Sequence, residues 1–192
     1  MSPFLIIAYY TIGNHYQTLS ENLTKSCREF NLPVFLKPIE NLGSWEKNTH
    51  YKANFINECL NRFSENLVYV DVDAVFRRHP DLFEELDCDI AYRTENFKWR
   101  RNEALSGTIF LKNNNRVKDL VKTWISINES VPAVRNAPMT WEQANMQKAV
   151  QAERSIRYYN LPPEYTYIFD HTKRMYPDIE PVIEHFQASR KS

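Results

Sequence analysis

The chain has 192 residues, with 24 Lys and Arg balanced by 24 Asp and Glu, so a single domain over residues 1–192 is expected and no global field draws it to nucleic acid or membrane. Only three glycines occur, which excludes a Gly-x-Gly-x-x-Gly dinucleotide loop, and the Walker phosphate loop is absent. Cys27, Cys59 and Cys88 lack Cys-x-x-Cys spacing, and no apolar run nears the ~18 residues of a membrane span; buried free thiols in a cytoplasmic protein without a transmembrane segment are expected.

Phe4 to Tyr10 is an apolar run that predicts a buried strand, broken by Thr11-Ile-Gly-Asn14. Tyr16, Leu19, Leu23, Cys27 and Phe30 share one helical stripe, predicting a helix over 15–30, and Pro33–Lys37 reads as a second strand. Such a β-α-β start implies a parallel pair with a right-handed crossover. Tyr9, Tyr10 and Thr11 then end the first strand, where a nucleobase could stack and hydrogen-bond; core packing of both tyrosines is an equal alternative. Residues 38–50 read as a loop turning at Gly43. A second helix follows, capped by Thr49 and carrying Phe55, Ile56, Cys59, Leu60 and Phe63 inward. Lys52 would lie in its first turn, where the helix dipole disfavours a cation, and so invites a diphosphate; a solvated lysine explains it equally well.

Leu67-Val-Tyr-Val70 has the character of a strand buried on both faces, and it runs into Asp71 and Asp73. If the backbone stays extended, the two carboxylates point the same way, roughly 7 Å apart. Oxygen ligands at the carboxyl end of a strand in an open α/β sheet read as a metal and nucleotide site. A solvated turn is the plainer reading of Asp-x-Asp alone.

Beyond it, His79-Pro80 opens a short helical piece to Leu86, and Ile90-Ala-Tyr92 is a strand. Phe97-Lys-Trp-Arg-Arg101 reads as a basic, aromatic loop, either an acceptor contact or a solvated surface. Ala104–Lys112 is a strand whose Gly107 marks a close approach of ligand or backbone. Val117, Leu120, Val121, Trp124 and Ile125 define a third amphipathic helix with a core-only face. Residues 130–140 are irregular; Thr140 caps a helix from Trp141 to about Ala152, with Gln143 and Gln147 on one face. A short strand from Ser155 to Asn160, the aromatic Tyr165–Phe169 and a last strand from Pro181 that carries His185 complete the chain.

In this order, Tyr-Tyr-Thr (9–11), Gly-Ser-Trp (43–45), Tyr-Lys-x-x-Phe-Ile (51–56), Asp-Val-Asp-Ala (71–74), Ser-Gly-Thr (106–108), Glu-Gln (142–143), Leu-Pro (161–162) and Ile-Glu-His-Phe-Gln-Ala-Ser-Arg (183–190) resemble the GT-A-type nucleotide-diphospho-sugar transferases. The resemblance implies a single Rossmann-like domain, a mostly parallel sheet flanked by helices, binding a nucleotide-diphosphate sugar through a divalent metal. It implies Asp71, Asp73 and His185 as metal ligands, with Asp71 also serving the ribose. A ring nitrogen tilts the choice to manganese over magnesium. Tyr9, Tyr10, Thr11, Lys52, Ser106, Gly107 and Arg190 are the donor-binding candidates, Arg190 because a guanidinium forks onto phosphate. Glu142 and Gln143 would line the reacting face: Glu142 as a base for an inverting reaction, Gln143 beside the anomeric carbon for a retaining one.

Two other readings are open. Asp-Val-Asp-Ala-Val also fits the Asp-x-Asp-x-(Thr/Val) motif of haloacid-dehalogenase-type phosphatases, although two β-α units precede it and no Gly-Asp-x-x-x-Asp follows. A nucleotide-sugar-binding module without catalysis is the other. The acceptor is open among a saccharide, a lipid-linked sugar, a protein and a modified nucleic-acid base, with loops 97–103 and 130–140 as its contacts.

Overall fold

The computed structural model describes residues 3–97, 100–131, 134 and 137–187, Arg100 by its backbone alone. Lys98, Trp99, the Arg100 side chain and Arg190 therefore lie outside the described residues.

The first strand, β1 (Phe4–Thr11), is followed by helix α1 (Tyr16–Glu29) and strand β2 (Val34–Ile39), as the apolar patterning predicts. Helix α2 (Trp45–Arg62) leads to the central strand β3 (Asn66–Val70) and then to β4 (Ala74–Phe76), α3 (Leu82–Glu85), β5 (Ile90–Phe97) and β6 (Arg100–Leu111). Helices α4 (Asn115–Ser130) and α5 (Glu142–Ala152), strands β7 (Tyr158–Asn160) and β8 (Tyr167–Ile168), helix α6 (His171–Met175) and strand β9 (Ile183–His185) complete it.

Six strands form one sheet in the order β2-β1-β3-β6-β5-β7. The pairings β1–β2, β1–β3 and β5–β7 are parallel, so the sheet is mostly parallel as expected, while β6 runs against both of its neighbours. Strand alternation divides the core between the two faces. Ile7, Leu67 and Tyr69 meet α2, α4 and α5 through Phe55, Ile56, Leu60, Val121, Trp124 and Met146. Phe4, Ile6, Val68 and Val70 meet Leu23 and Cys27 of α1 and the small sheet β4-β9-β8. All three cysteines are free and buried.

Four local expectations are corrected. Helix α2 starts at Trp45, not near 50: the Ser44 side chain accepts from the Lys47 N–H at 3.2 Å, and Thr49 lies inside the helix with its hydroxyl on the Glu46 carbonyl. A serine cap before a polar first turn carries no apolar periodicity, so the stripe beginning at Phe55 hides the first turns. Thr140 is no cap either; it closes a 3-10 turn over Pro138–Thr140, and α5 begins beyond Trp141 without a side-chain cap. Strands β5 and β6 run past their apolar segments and stay paired as far as Phe97 and Arg100, so Phe97, Arg100 and Arg101 are strand residues and not loop. Charged residues extend β5 because Arg93 and Glu95 are both buried and paired at 2.5 Å. The fourth correction concerns Asp71 and Asp73.

Candidate active site

The chain does not stay extended after Val70. The Asp71 N–H donates to the Gly107 carbonyl at 2.8 Å, continuing the ladder with β6, but the Asp71 carbonyl accepts from the Ala74 N–H at 2.9 Å. A tight turn over Asp71–Ala74 thus replaces the extended Asp-x-Asp geometry. This turn leads into β4, whose Ala74 stands opposite His185 in the antiparallel β4–β9 pairing. The register delivers His185 to Asp73: Nδ1 lies 3.7 Å from Asp73 Oδ1, and Nε2 lies 2.8 Å from Thr108 Oγ1. His185 and Thr108 are buried.

Gly107 makes room for this cluster. A Cβ there would stand 3.2 Å from His185 Cε1, 3.3 Å from its Nδ1 and 3.4 Å from Asp71 Oδ2. Its backbone needs no left-handed angle, so glycine serves here for close approach.

Lys52 is not the first-turn lysine expected. It lies deep in α2 with only 3% exposure. Its Nζ donates to Glu142 Oε1 at 2.7 Å and to the Ser106 carbonyl and hydroxyl at 3.0 Å each, and pairs with Asp71 Oδ1 at 3.2 Å. The dipole argument fails because Lys52 lies about two turns beyond the helix start, whereas the unpartnered N–H groups and the dipole act within the first turn. Burial alone would lower the lysine's pKa, but Asp71 and Glu142 outweigh it and hold the ammonium charged above its ordinary range. Burial raises the Glu142 carboxyl, with Lys52 and the Ser106 hydroxyl opposing. Glu142 Oε2 is buried and has no hydrogen-bond partner among the described residues.

These groups line a cavity of about 620 Å³ that also takes in Tyr9, Tyr10 and Thr11. Tyr9 is fixed as a wall, its hydroxyl on the Asn48 carbonyl at 2.7 Å and its ring against Tyr51, Phe55 and Tyr69. Thr11 accepts from the Asn14 amide at 2.7 Å, and Tyr10 is half-buried. Gln143 also lines the cavity, but its amide donates to Glu103 Oε1 at 2.6 Å, while Gln147 holds the Asn102 carbonyl at 2.6 Å. The shared face of the two glutamines thus grips the β5–β6 pair.

Several lining residues escaped the sequence reading. Tyr16 falls on the inward stripe of α1 by sequence, yet it lines the cavity, where burial first and then Asp73 and Asp71 raise its pKa. Tyr69 donates its hydroxyl to Asp71 Oδ1 at 2.8 Å. Glu103 and Trp141 also line the cavity with no motif to announce them, because sequence alone places Glu103 at the end of a loop and Trp141 at the start of a helix; Trp45, of the Gly-Ser-Trp motif, lines it too.

A profile of the nucleotide-diphospho-sugar transferases matches residues 24–190. The chain belongs to this family. It is a glycosyltransferase, and the phosphatase reading falls with that membership. No curated protein sequence matches significantly. Among solved structures, the chain is similar to a glycosyltransferase involved in glycosylation of the major capsid of PBCV-1, with TM-score 0.71 and 14% identity over 96% of this chain and 92% of that one. It is also similar to GlyE of Streptococcus pneumoniae TIGR4, with TM-score 0.66 and 14% identity over 95% of this chain but 54% of that one. The galactosyltransferase LgtC, crystallised with donor and acceptor sugar analogues, matches with TM-score 0.55 and 10% identity over 95% of this chain and 87% of that one. At such identities the likeness carries the GT-A fold and no substrate.

Among the described residues, no three His, Cys, Asp or Glu side chains converge into a closed metal cage. What stands there is an open, partial set: a carboxylate facing a ring nitrogen beside the space that Gly107 leaves. Such a set fits a hard cation whose remaining ligands come from phosphate and water.

Proposed function

We propose that this glycosyltransferase is a single domain that transfers its sugar to an acceptor hydroxyl with the help of a divalent metal. The charge of the cavity supports the metal. Asp71, Asp73, Glu103 and Glu142 line it against one lysine among the described residues, and Lys52 is already engaged by two of them. A diphosphate entering so acidic a cavity is repelled unless a cation accompanies it. Asp73 and His185 are the residues to hold that cation, with Asp71 beside them, and the ring nitrogen favours manganese over magnesium. When bound, the metal would offset the charge developing on the departing diphosphate.

The chain's own groups take the remaining parts. Tyr9, Tyr10 and Thr11 form the wall for the base, and Ser106 and Gly107 let the sugar approach the backbone. In the reaction the bond from the anomeric carbon to phosphate oxygen breaks, the acceptor oxygen bonds to that carbon, and the acceptor proton must leave. Glu142, whose pKa burial raises, is the candidate to receive it, and Gln143 is held close by through Glu103. Arg190 is retained as a phosphate partner on sequence grounds. No helix among the described residues is long and apolar enough to cross a membrane; three buried unpaired thiols fit a reducing compartment, and we place the enzyme in the cytoplasm.

Calorimetric titration of UDP, GDP, CDP and their sugars, with manganese, magnesium or EDTA, tests the reading. Binding that requires the metal and is strongest with manganese is expected. Equal binding in EDTA would remove the metal from the mechanism.

A further inference from the structure

Ser106 and Gly107 line the cavity, but Thr108, the next residue of β6, lies behind them at 0% exposure and touches no ligand. It stands opposite Val70 in the β3–β6 pairing, and Val70 and Phe110 mark its face of the sheet as the one covered by α1 and the small sheet. A β-branched residue suits the strand, yet a hydroxyl in that apolar layer must find a partner. The partner is His185 of β9, whose Nε2 lies 2.8 Å from Thr108 Oγ1.

This contact bears on the other ring nitrogen. A neutral imidazole carries one N–H, and the nitrogen that holds it follows from the hydrogen-bond network. Nδ1 lies 3.7 Å from Asp73 Oδ1, beyond hydrogen-bond reach, whereas Nε2 is within reach of Thr108. The proton therefore belongs on Nε2, donated to Thr108 Oγ1, and Nδ1 keeps its lone pair. The rival form, with Thr108 donating to Nε2, would put the proton on Nδ1 and block it as a ligand. Nδ1 would lie 3.3 Å from a Cβ on Gly107, and Asp71 Oδ2 3.4 Å from the same point. Asp71 is held in a like manner, since Tyr69 and Lys52 engage Oδ1 and leave Oδ2 on the Gly107 side. Resting on the metal reading above, we propose that Thr108 is a positioning residue: its hydroxyl oxygen fixes the Nε2–H form and the plane of His185, so that Nδ1 is the atom presented to a divalent cation. A hydrogen-bonded second nitrogen both orients such a ring and strengthens it as a ligand.

Ring-nitrogen NMR of the metal-free protein, labelled with 15N-histidine at mildly alkaline pH, reads the tautomer directly, with His185 assigned by its loss in His185→Gln. The proton should sit on Nε2. Thr108→Val keeps the branched shape and drops the hydroxyl; it should lose that preference and weaken manganese binding, measured by calorimetry, at least about tenfold. Thr108→Ser keeps the hydroxyl and should restore most of both. Thermal melts check that each variant folds; Thr108→Ala replaces Thr108→Val should that one fail, and the wild-type tautomer decides in either case. The proposal is overturned if the wild type carries the proton on Nδ1, or if the serine variant is no better than the valine one. A folded hydroxyl-free variant that is less stable but binds manganese as the wild type does would also overturn it, leaving the hydroxyl a structural part only. Failure of the wild type to bind manganese would overturn the metal reading itself, while the tautomer of the metal-free protein still decides whether Thr108 holds the ring.

Discussion

Lys52 Nζ stands 2.7 Å from Glu142 Oε1 and 3.2 Å from Asp71 Oδ1, so one buried ammonium, carried on α2, ties the start of α5 to the end of the central strand. The same nitrogen holds the backbone and side chain of Ser106 on β6. Four elements therefore converge on one charge at the floor of the cavity.

Lys52→Met leaves Glu142 buried without its counter-charge and should cost about 3–5 kcal/mol of stability, a large share of a marginal total. Adding Glu142→Leu should recover part of that stability while transfer stays lost. Urea denaturation of the two variants checks the order; a double variant no more stable than the single one would show that the pair is not the stabilising unit.

Asp73→Asn and His185→Ala should each weaken manganese binding strongly, by about 100-fold for the carboxylate; Asp73→Asn should change the melting temperature little, while His185→Ala should lower it, because the buried ring also bonds Thr108. Both groups sit at the sheet's rim, where the β4–β9 register rather than the carboxylate sets the backbone. Metal titration by calorimetry, before any activity is measured, separates a ligand role from a structural one.

Gly107→Ala adds one methyl where His185 Nδ1 would be 3.3 Å away and Asp71 Oδ2 3.4 Å away. The backbone there is ordinary for a strand residue, so the fold should persist and the cost should fall on the ring and the carboxylate. Metal and donor affinity are expected to drop together. Unchanged affinity of a folded Gly107→Ala protein would mean that the space beside His185 is not used.

Asp89 sets an acid limb. Burial pushes its carboxyl up, but the Arg157 N–H, the Asn114 amide and the Arg116 guanidinium outweigh that and leave it below the usual range. A depressed folded pKa means that the unfolded chain binds the proton more readily. The stabilisation is therefore complete above the unfolded value of about 3.9 and is lost as pH falls through the lower, folded value. Urea midpoints measured from pH 6 down to pH 2 should fall in that window, and Asp89→Asn, less stable at neutral pH, should show a shallower fall.

The thiols should be silent in the native state. Burial raises Cys27 and Cys59 to about 12 and Cys88 to about 11, so little thiolate exists at neutral pH. A thiol-specific disulfide reagent should label the native protein far more slowly than the denatured chain. Rapid stoichiometric labelling would contradict the burial.

Local pattern determined the succession of elements. Phe4–Tyr10 and Leu67–Val70 are apolar on both faces, which only a covered strand satisfies, and the stripes of α1, α2 and α4 repeat every third or fourth residue. Asp71 and Asp73 were legible for the same reason, since a pair of charges directly after such a run marks the strand's exit. The ends of α2 and α5 were not, because Ser44, Trp45 and Trp141 have no periodicity to extend. What only the tertiary structure decided is who meets whom. His185 reaches Asp73 through the β4–β9 register, and Lys52, deep inside a helix whose start no apolar stripe marks, meets Glu142 90 residues away. Glu103, Trp45 and Trp141 come to line one cavity only when α2, α5 and the β5–β6 pair pack together. Periodicity reports which face of an element is buried; it carries nothing about which other element covers it, and a site built at the meeting of several elements is written in that second relation alone.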